Sequence, residues 1–188
     1  MTIKKNSMKY VVVLVIAFIS FQIFADPPAS YPIPPETKNG LFYLQRSNNS
    51  NTVVYDANLQ ADGSLSKREP IDVYWLRYNT TGERKALNFA QRNFAYGYKS
   101  KKLGANRGYS ISLMAYAERD IRVFIDDAGN PAAHIKINDG IAKLKNIYID
   151  TSGSGFWSKV NYIELFGLDL KTGAAIKERF DPNEESSF

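Results

Sequence analysis

The sequence predicts a mainly β protein in which antiparallel strands form a barrel or a barrel-like curled sheet. Nine segments have the aromatic and β-branched composition, or the alternation of apolar and polar residues, that is typical of strands. Short turns join most of them, which favours antiparallel neighbours, and only one segment has helical periodicity. Several strands are apolar on both faces, and a long sheet either curls or divides. A two-layer sandwich is therefore the alternative to the barrel.

The first 25 residues predict a secretory signal peptide. Lys4, Lys5 and Lys9 precede an apolar run at 10–24, which at about 15 residues is shorter than the roughly 20 needed to span a bilayer. We expect cleavage after Ala25, export to the periplasm or the extracellular space, and no transmembrane span in the remaining chain. An uncleaved anchor is the alternative, because Ile23 is not the small residue of an ideal cleavage site.

Three regions are expected after the signal peptide. Residues 26–39 contain five prolines, which predict an extended linker that spaces the domain from the envelope. Residues 40–182 are predicted to form a single β-rich domain, and 183–188 a polar tail. The chain has no cysteine, so no disulfide supports the fold. Without the three leading lysines, 21 basic side chains stand against 19 acidic ones, a net charge of +2 that does not predict nucleic-acid binding.

The amino-terminal half of the domain predicts a hairpin followed by a central strand. Segments 41–46 and 52–58 are strand-like, and the turn between them is rich in Ser and Asn, whose side chains bond to their own backbone. The next strand, 72–78, is centred on Trp75 and is aromatic and β-branched along its length.

One short α-helix is predicted around 83–95. Its apolar residues recur at helical spacing, and Thr80 with Glu83 is expected to form a capping box at its start. The predicted apolar stripe consists of Leu87, Ala90, Phe94 and Tyr98.

The carboxy-terminal half begins with a loop at 99–108 that holds four cations. This loop is expected to be solvated, and contact with lipid phosphates at an envelope surface is the alternative. Asn138, Asp139 and Gly140 are typical of a tight hairpin turn. The apolar parity within 141–150 changes after Leu144, which predicts a β-bulge near Lys145 or Asn146. The six strands expected here are 109–116, 121–126, 132–137, 141–150, 160–168 and 174–180.

Five segments of the sequence carry a family resemblance: 41–46, 51–55, 74–75, 95–97 and 160–167. With them the sequence resembles a family of secreted bacterial proteins known as domain of unknown function 4833. The resemblance extends over roughly 40–182, and the family has no established activity or ligand. It therefore implies a secreted bacterial domain but assigns no catalytic or binding residue.

Composition excludes several kinds of catalytic and metal site. Without cysteine there is no thiol nucleophile, zinc–thiolate site or iron–sulfur cluster. His134 is the only histidine, and we expect it to face outward from a strand rather than to belong to a triad or a metal site. No phosphate-binding glycine loop and no nucleophile elbow is present. We expect no cofactor and no metal.

Carboxylate chemistry is the enzymatic route that composition leaves open. Glu164 lies between Ile163 and Leu165, where burial would favour the protonated form of a general acid. We expect instead that Glu164 forms an ion pair with an arginine such as Arg46, Arg77 or Arg92. The carboxylates in or beside predicted strands are Asp56, Asp72, Glu118, Asp120 and Glu164.

One group of residues is the candidate ligand-binding site. Its rings offer apolar contact, and its arginines suit an anionic head group or a sugar. A buried polar network that joins the helix to the sheet is the alternative interpretation. The group consists of Trp75, Arg77, Tyr78, Gln91, Arg92, Tyr96, Asn161 and Tyr162.

The leading functional hypothesis is a non-enzymatic, exported binding module for an apolar or amphiphilic envelope ligand, held against Trp75 and Tyr78. A protein-interaction or structural domain of the envelope, with an envelope protein as partner, is the first alternative. A carboxylate-dependent glycan hydrolase is the second, and it requires two carboxyl groups about 5 to 9 Å apart in a cleft.

Overall fold

A computed structural model describes residues 31–104, 107–153 and 159–182. The predicted signal peptide, the first residues of the predicted linker and the predicted tail at 183–188 lie outside the described residues. In the part that is described, no helix has the length and apolar character needed to cross a membrane.

The described residues form eleven strands and one short helix. In chain order they are β1 (Gly40–Arg46), β2 (Asn49–Ala57), β3 (Ile71–Arg77), β4 (Glu83–Ala86), α1 (Phe89–Phe94), β5 (Tyr98–Lys102), β6 (Tyr109–Leu113), β7 (Tyr116–Ile125), β8 (Pro131–Ile137), β9 (Gly140–Ser152), β10 (Lys159–Asp169) and β11 (Ala175–Phe180).

Strand β9 is the hub of a single sheet that contains all eleven strands. One edge of β9 pairs with β10, which in turn pairs with β11. The other edge is divided: residues 140–143 pair with β8, and residues 146–149 pair with β1. Lys145, between these two halves, is the extra residue where the β9–β10 register shifts. The predicted bulge is therefore confirmed, and it lies where the sheet forks.

Two series of paired strands, which we call the arms, extend from β9 and curl. One runs from β1 through β2 and β3 to β4, and the other from β8 through β7 and β6 to β5. The result is an open, strongly curled half-barrel, so the predicted barrel-like curled sheet is confirmed, without closure by backbone pairing. The expectation that neighbouring strands are antiparallel was wrong at one place, because β1 and β9 are parallel. These strands are far apart in sequence, and no turn constrains their direction.

The concave face of the half-barrel holds one continuous hydrophobic core. Tyr55 is fully buried there, and its hydroxyl donates to the Tyr96 carbonyl at 2.8 Å. The Tyr98 hydroxyl donates to the Ile71 carbonyl at 2.8 Å and accepts from the Ile71 amide at 3.1 Å, which ties the β5 end of the sheet to the β3 end. Other fully buried members include Leu44, Ile111, Leu144, Ile147, Ile163 and Leu165.

The prediction of the helix was correct in kind but wrong at its start. Residues Glu83–Ala86 form β4, which pairs with β3 across a turn where Gly82 has a φ of +74°. The capping box is made by Asn88 and Gln91 rather than by Thr80 and Glu83. The helix has no buried residue, so Ala90 and Phe94 of the predicted apolar stripe do not face the core. A favourable pairing with β3 therefore prevailed over local helical spacing.

The predicted cationic loop was also wrong over its first part. Residues 98–102 form strand β5, which pairs with β6. Its lysines made it look like a loop, but lysine is common on exposed edge strands.

The proline-rich segment 31–38 lies across the convex face of the sheet, which we call the outer face. Tyr31 packs edge-on against Tyr148, and its hydroxyl donates to the Ser47 carbonyl. The Gln45 amide donates to the Pro32 carbonyl at 3.0 Å, and Pro34 is buried. The described part of the predicted linker is thus packed on the domain.

Candidate functional site

A cleft of about 630 Å³ lies on the outer face, between segment 33–38 and the sheet. We call it the outer cleft. Its walls come from five places in the chain: the proline-rich segment, β1 with β2, the start of β8, β9 around the bulge, and β10 with β11. This volume is within the range of about 300 to 1,000 Å³ that is usual for small-molecule sites.

The lining of the outer cleft is apolar on one side and cationic on the other. Prolines and the side chains of Phe166 and Ile176 supply the apolar surface. Lys177 approaches the Glu164 carboxylate at 3.3 Å and lies 5.7 Å from the centre of the Phe166 ring. The other three lysines of the lining have no ion-pair partner among the described residues; they are Lys38, Lys143 and Lys145.

The acidic groups of the outer cleft are fewer than the cations. Asp56 is only 8% exposed, and its carboxylate accepts hydrogen bonds from the Thr37 hydroxyl at 3.1 Å and from the Tyr74 hydroxyl at 2.9 Å. The Asp56 charge raises the pKa of Tyr74 in addition to the effect of burial. Glu36, the second acid of the lining, is exposed. Asp56 is therefore already engaged, and the lining is cationic on balance.

Asn146 is an unsatisfied donor in the wall of the outer cleft. The residue is 4% exposed, and its Nδ2 has no hydrogen-bond partner among the described residues. A buried polar group without a partner costs on the order of 1–3 kcal/mol, which a ligand oxygen can recover. Asn146 adjoins the bulge at Lys145, so the fork in the sheet places both side chains at this wall.

Glu164 is held as an ion pair. It is 3% exposed, and its carboxylate accepts from Arg179 Nε at 2.9 Å and Nη2 at 2.8 Å, in addition to the contact with Lys177. The expected ion pair is therefore confirmed in kind, but the partners are on the neighbouring strand β11 rather than at Arg46, Arg77 or Arg92. The cross-strand register of β10 and β11 decides this. The Glu118 side chain lies outside the described part of the chain.

Trp75 and Tyr96 come together on the core side of the sheet. Their rings meet edge to face, with centroids 4.8 Å apart, and both residues are 7% exposed. Arg46 Nη1 donates to the Tyr96 hydroxyl at 3.1 Å. Trp75 Nε1 and Arg46 Nε have no partner among the described residues. Trp75 and Tyr96 thus join the segment after the helix to the sheet.

The other predicted binding residues are divided between two places. Arg77 approaches Glu83 at 3.9 Å, and Arg92 approaches Glu69 at 3.9 Å, on partly exposed surface near the helix. Gln91 belongs to the capping box, and Tyr78 follows β3 in the turn to β4.

Asn161 and Tyr162 lie on β10, remote in the sheet order from β3. The Asn161 amide donates to Asp150 at 2.8 Å, and the guanidinium of Arg179 lies 4.1 Å from the centre of the Tyr162 ring. Their neighbour Tyr148 is buried. Burial, followed by repulsion from the ionised forms of Tyr31 and Tyr162, raises the pKa of Tyr148 to about 12. None of the eight predicted residues is among those that line the outer cleft.

His134 lies half-buried on β8, with its ring 4.7 Å from that of Phe124, edge to face. Burial, followed by the charges of Arg122 and Lys143, lowers the pKa of His134, so the neutral imidazole is favoured. Among the described residues there is no group of three or more His, Cys, Asp or Glu side chains that could hold a metal ion.

Sequence reasoning missed the outer cleft because its lining residues are dispersed along the chain. Lys38 is in the proline-rich segment, Lys143 precedes the bulge at Lys145, and Lys177 is near the end of the domain. The only signal available was the change of apolar parity at Leu144, which indicated the bulge but not what surrounds it.

Comparison with protein families gives a match. A family model described as a domain of unknown function (DUF4833) matches residues 42–179, which is more than two thirds of the chain. Comparisons with the curated proteins and with the solved structures give no significant match.

Proposed function

The chain belongs to the DUF4833 family, and from this premise we propose that it is an exported, non-enzymatic binding module that holds an amphiphile with an acidic head group in the outer cleft. The observation that carries the proposal is the lining of that cleft, in which an apolar surface adjoins three lysines without ion-pair partners among the described residues.

The apolar part of the ligand is suited to the surface made by segment 33–38 together with Phe166 and Ile176. Proline rings and aromatic side chains lose little conformational entropy when they contact a ligand, so they are favourable walls for an alkyl chain. Burial of each methylene contributes about 0.8 kcal/mol. A chain of several methylenes would therefore supply a useful part of the affinity.

The acidic head group is suited to the cationic side of the outer cleft. Lys143 and Lys145 are half-buried at the bulge, where their ammonium groups are less screened than on open surface. Asn146, whose Nδ2 has no partner among the described residues, lies in the same wall. A hydrogen bond to a charged group contributes about 1.5–3 kcal/mol, more than a neutral one.

The test compares three ligands that share one alkyl chain. Binding of dodecanoate, dodecanol and dodecylamine to the purified protein is measured by competition with a fluorescent fatty acid, below micellar concentrations. We expect dodecanoate to compete best, because only its head group carries a negative charge.

A paired substitution locates the binding site. Lys143→Gln with Lys145→Gln should weaken dodecanoate binding by about tenfold or more. The control, Lys136→Gln with Lys171→Gln, removes the same charge from exposed positions outside the outer cleft and should leave binding unchanged. Equal binding of the three ligands, or equal losses in both variants, would contradict the proposal.

A further inference from the structure

The two ends of the open sheet are connected by one continuous segment. The edge strands β4 and β5 are the last strands of the two arms, and α1 lies between them in the chain. We call residues 83–102 the seam. Its elements are exposed, since β4 is exposed throughout, β5 nearly so, and α1 buries no residue. The connecting residues Leu87 and Tyr96 are buried and anchor the seam to the core.

The seam and the residues that follow it form a segment with a strong excess of positive charge. From Arg84 to position 117 the sequence contains seven Lys and Arg residues and no Asp or Glu. The rest of the chain after position 25 holds 14 basic and 19 acidic side chains, so its net charge is −5, while that of segment 84–117 is +7. A charge asymmetry of this size is typical of proteins that meet a polyanionic partner.

Four lysines of the seam are without an ion-pair partner among the described residues. They are Lys85 on β4 and Lys99, Lys101 and Lys102 on β5. Arg84 is paired with Asp72, and Arg92 lies 3.9 Å from Glu69. Within the seam, these unpaired lysines therefore lie on the two edge strands.

The seam also carries two exposed large aromatic side chains. Phe89 and Phe94, near the two ends of α1, are 79% and 76% exposed. They are the most exposed large hydrophobic residues in the described part of the chain. A segment that holds both exposed phenylalanines and unpaired lysines has the chemistry of an interfacial membrane contact, in which rings enter the headgroup region and ammonium groups meet lipid phosphates.

We infer that the seam is a peripheral binding surface for membranes that contain anionic phospholipid. Lysines on edge strands also prevent strands from pairing between molecules. That role does not account for Phe89 and Phe94, because exposed rings promote association. The inference concerns the seam alone and does not depend on a ligand in the outer cleft.

Cosedimentation with vesicles tests the inference. The soluble form obtained by expressing the full chain is mixed with vesicles of phosphatidylglycerol and phosphatidylethanolamine, or of phosphatidylcholine alone. We expect binding to the anionic vesicles only, and a weakening as salt is raised. Comparable binding to both kinds of vesicle, or no binding at low salt, would overturn the inference.

Three variants test whether the seam is the surface that binds the vesicles. Lys99→Gln, Lys101→Gln and Lys102→Gln combined should weaken vesicle binding by at least tenfold, since one lysine near an anionic membrane contributes about a fivefold change. Lys136→Gln, Lys159→Gln and Lys171→Gln combined remove the same charge from exposed positions outside the seam and should have little effect. Phe89→Gln with Phe94→Gln should weaken binding without removing charge.

Two results would contradict this assignment. One is an equal loss of binding in the two lysine variants, since this would mean that only net charge matters. The other is tighter binding to a single-stranded oligonucleotide than to anionic vesicles, lost in the seam variant, since the polyanion would then be a nucleic acid. Circular dichroism of each variant verifies that the fold is intact.

Discussion

The hub strand β9 and the seam show two ways in which the same chain uses its strands. Residues 146–149 of β9 are all buried, are paired on both edges, and have the core on one side and outer-face contacts on the other. The strands β4 and β5 pair on one edge only and are largely exposed. Strand content therefore does not indicate how much a segment contributes to stability, whereas the number of covered faces and paired edges does.

The largest effect is expected from truncating a side chain at the hub. Ile147→Ala should lower the free energy of unfolding by about 2–5 kcal/mol, because the fully buried side chain leaves a cavity in a core that is covered on all sides. Phe94→Ala removes a larger side chain from the seam and should change stability by less than about 0.5 kcal/mol, since Phe94 is exposed. Urea unfolding measures both. Similar losses would mean that the seam is packed as tightly as the hub.

A smaller loss of stability is expected where β10 packs too closely against the hub strand for an added methyl group. A Cβ on Gly167 would lie 2.7 Å from the Lys143 carbonyl oxygen and 2.9 Å from Ile137 Cδ1. Gly167→Ala should therefore lower the free energy of unfolding by about 1–3 kcal/mol. The control is Gly104→Ala, just beyond the seam, where an added Cβ has no atom within 4 Å. Thermal unfolding compares the two, and a stable Gly167→Ala protein would show that the β8–β9–β10 junction can relax.

The smallest effect on stability is expected from a change of pH, and it involves His134 on β8, which pairs with the hub strand. His134 on β8 has a pKa lowered by burial and by Arg122 and Lys143, against a smaller opposing effect of Asp126. Between pH about 6.5 and the lowered pKa of His134, the unfolded state therefore binds more protons than the folded state. The free energy of unfolding should fall as the pH decreases through this range.

Urea unfolding at pH about 7.5 and about 5.5 measures this dependence. The His134→Gln protein should lose the part of the decrease that begins near pH 6.5. A decrease of the same size in the variant would assign it to other groups, the carboxylates being the first to consider.

Some features were predictable because they depend on neighbours in sequence. Alternation and composition identified the nine principal strands, and the Asn138 to Gly140 turn is confirmed with Asn138 at a φ of +52°. The bulge at Lys145 was also predictable, since a change of parity within one strand requires an extra residue. The helix was only half predicted, because Glu83–Ala86 has the spacing of a helix but pairs with β3.

By itself the sequence determined the β class, the hairpins, the bulge and the absence of cysteine chemistry, because each of these follows from a few adjacent residues. Only the tertiary structure decided the parallel pairing of β1 with β9, the choice of Arg179 and Lys177 as partners of Glu164, and the meeting of Lys38, Lys143 and Lys145 in the outer cleft. The physical reason is that these contacts join residues far apart in the chain. They form because the curled sheet buries its core, and not because of any local preference.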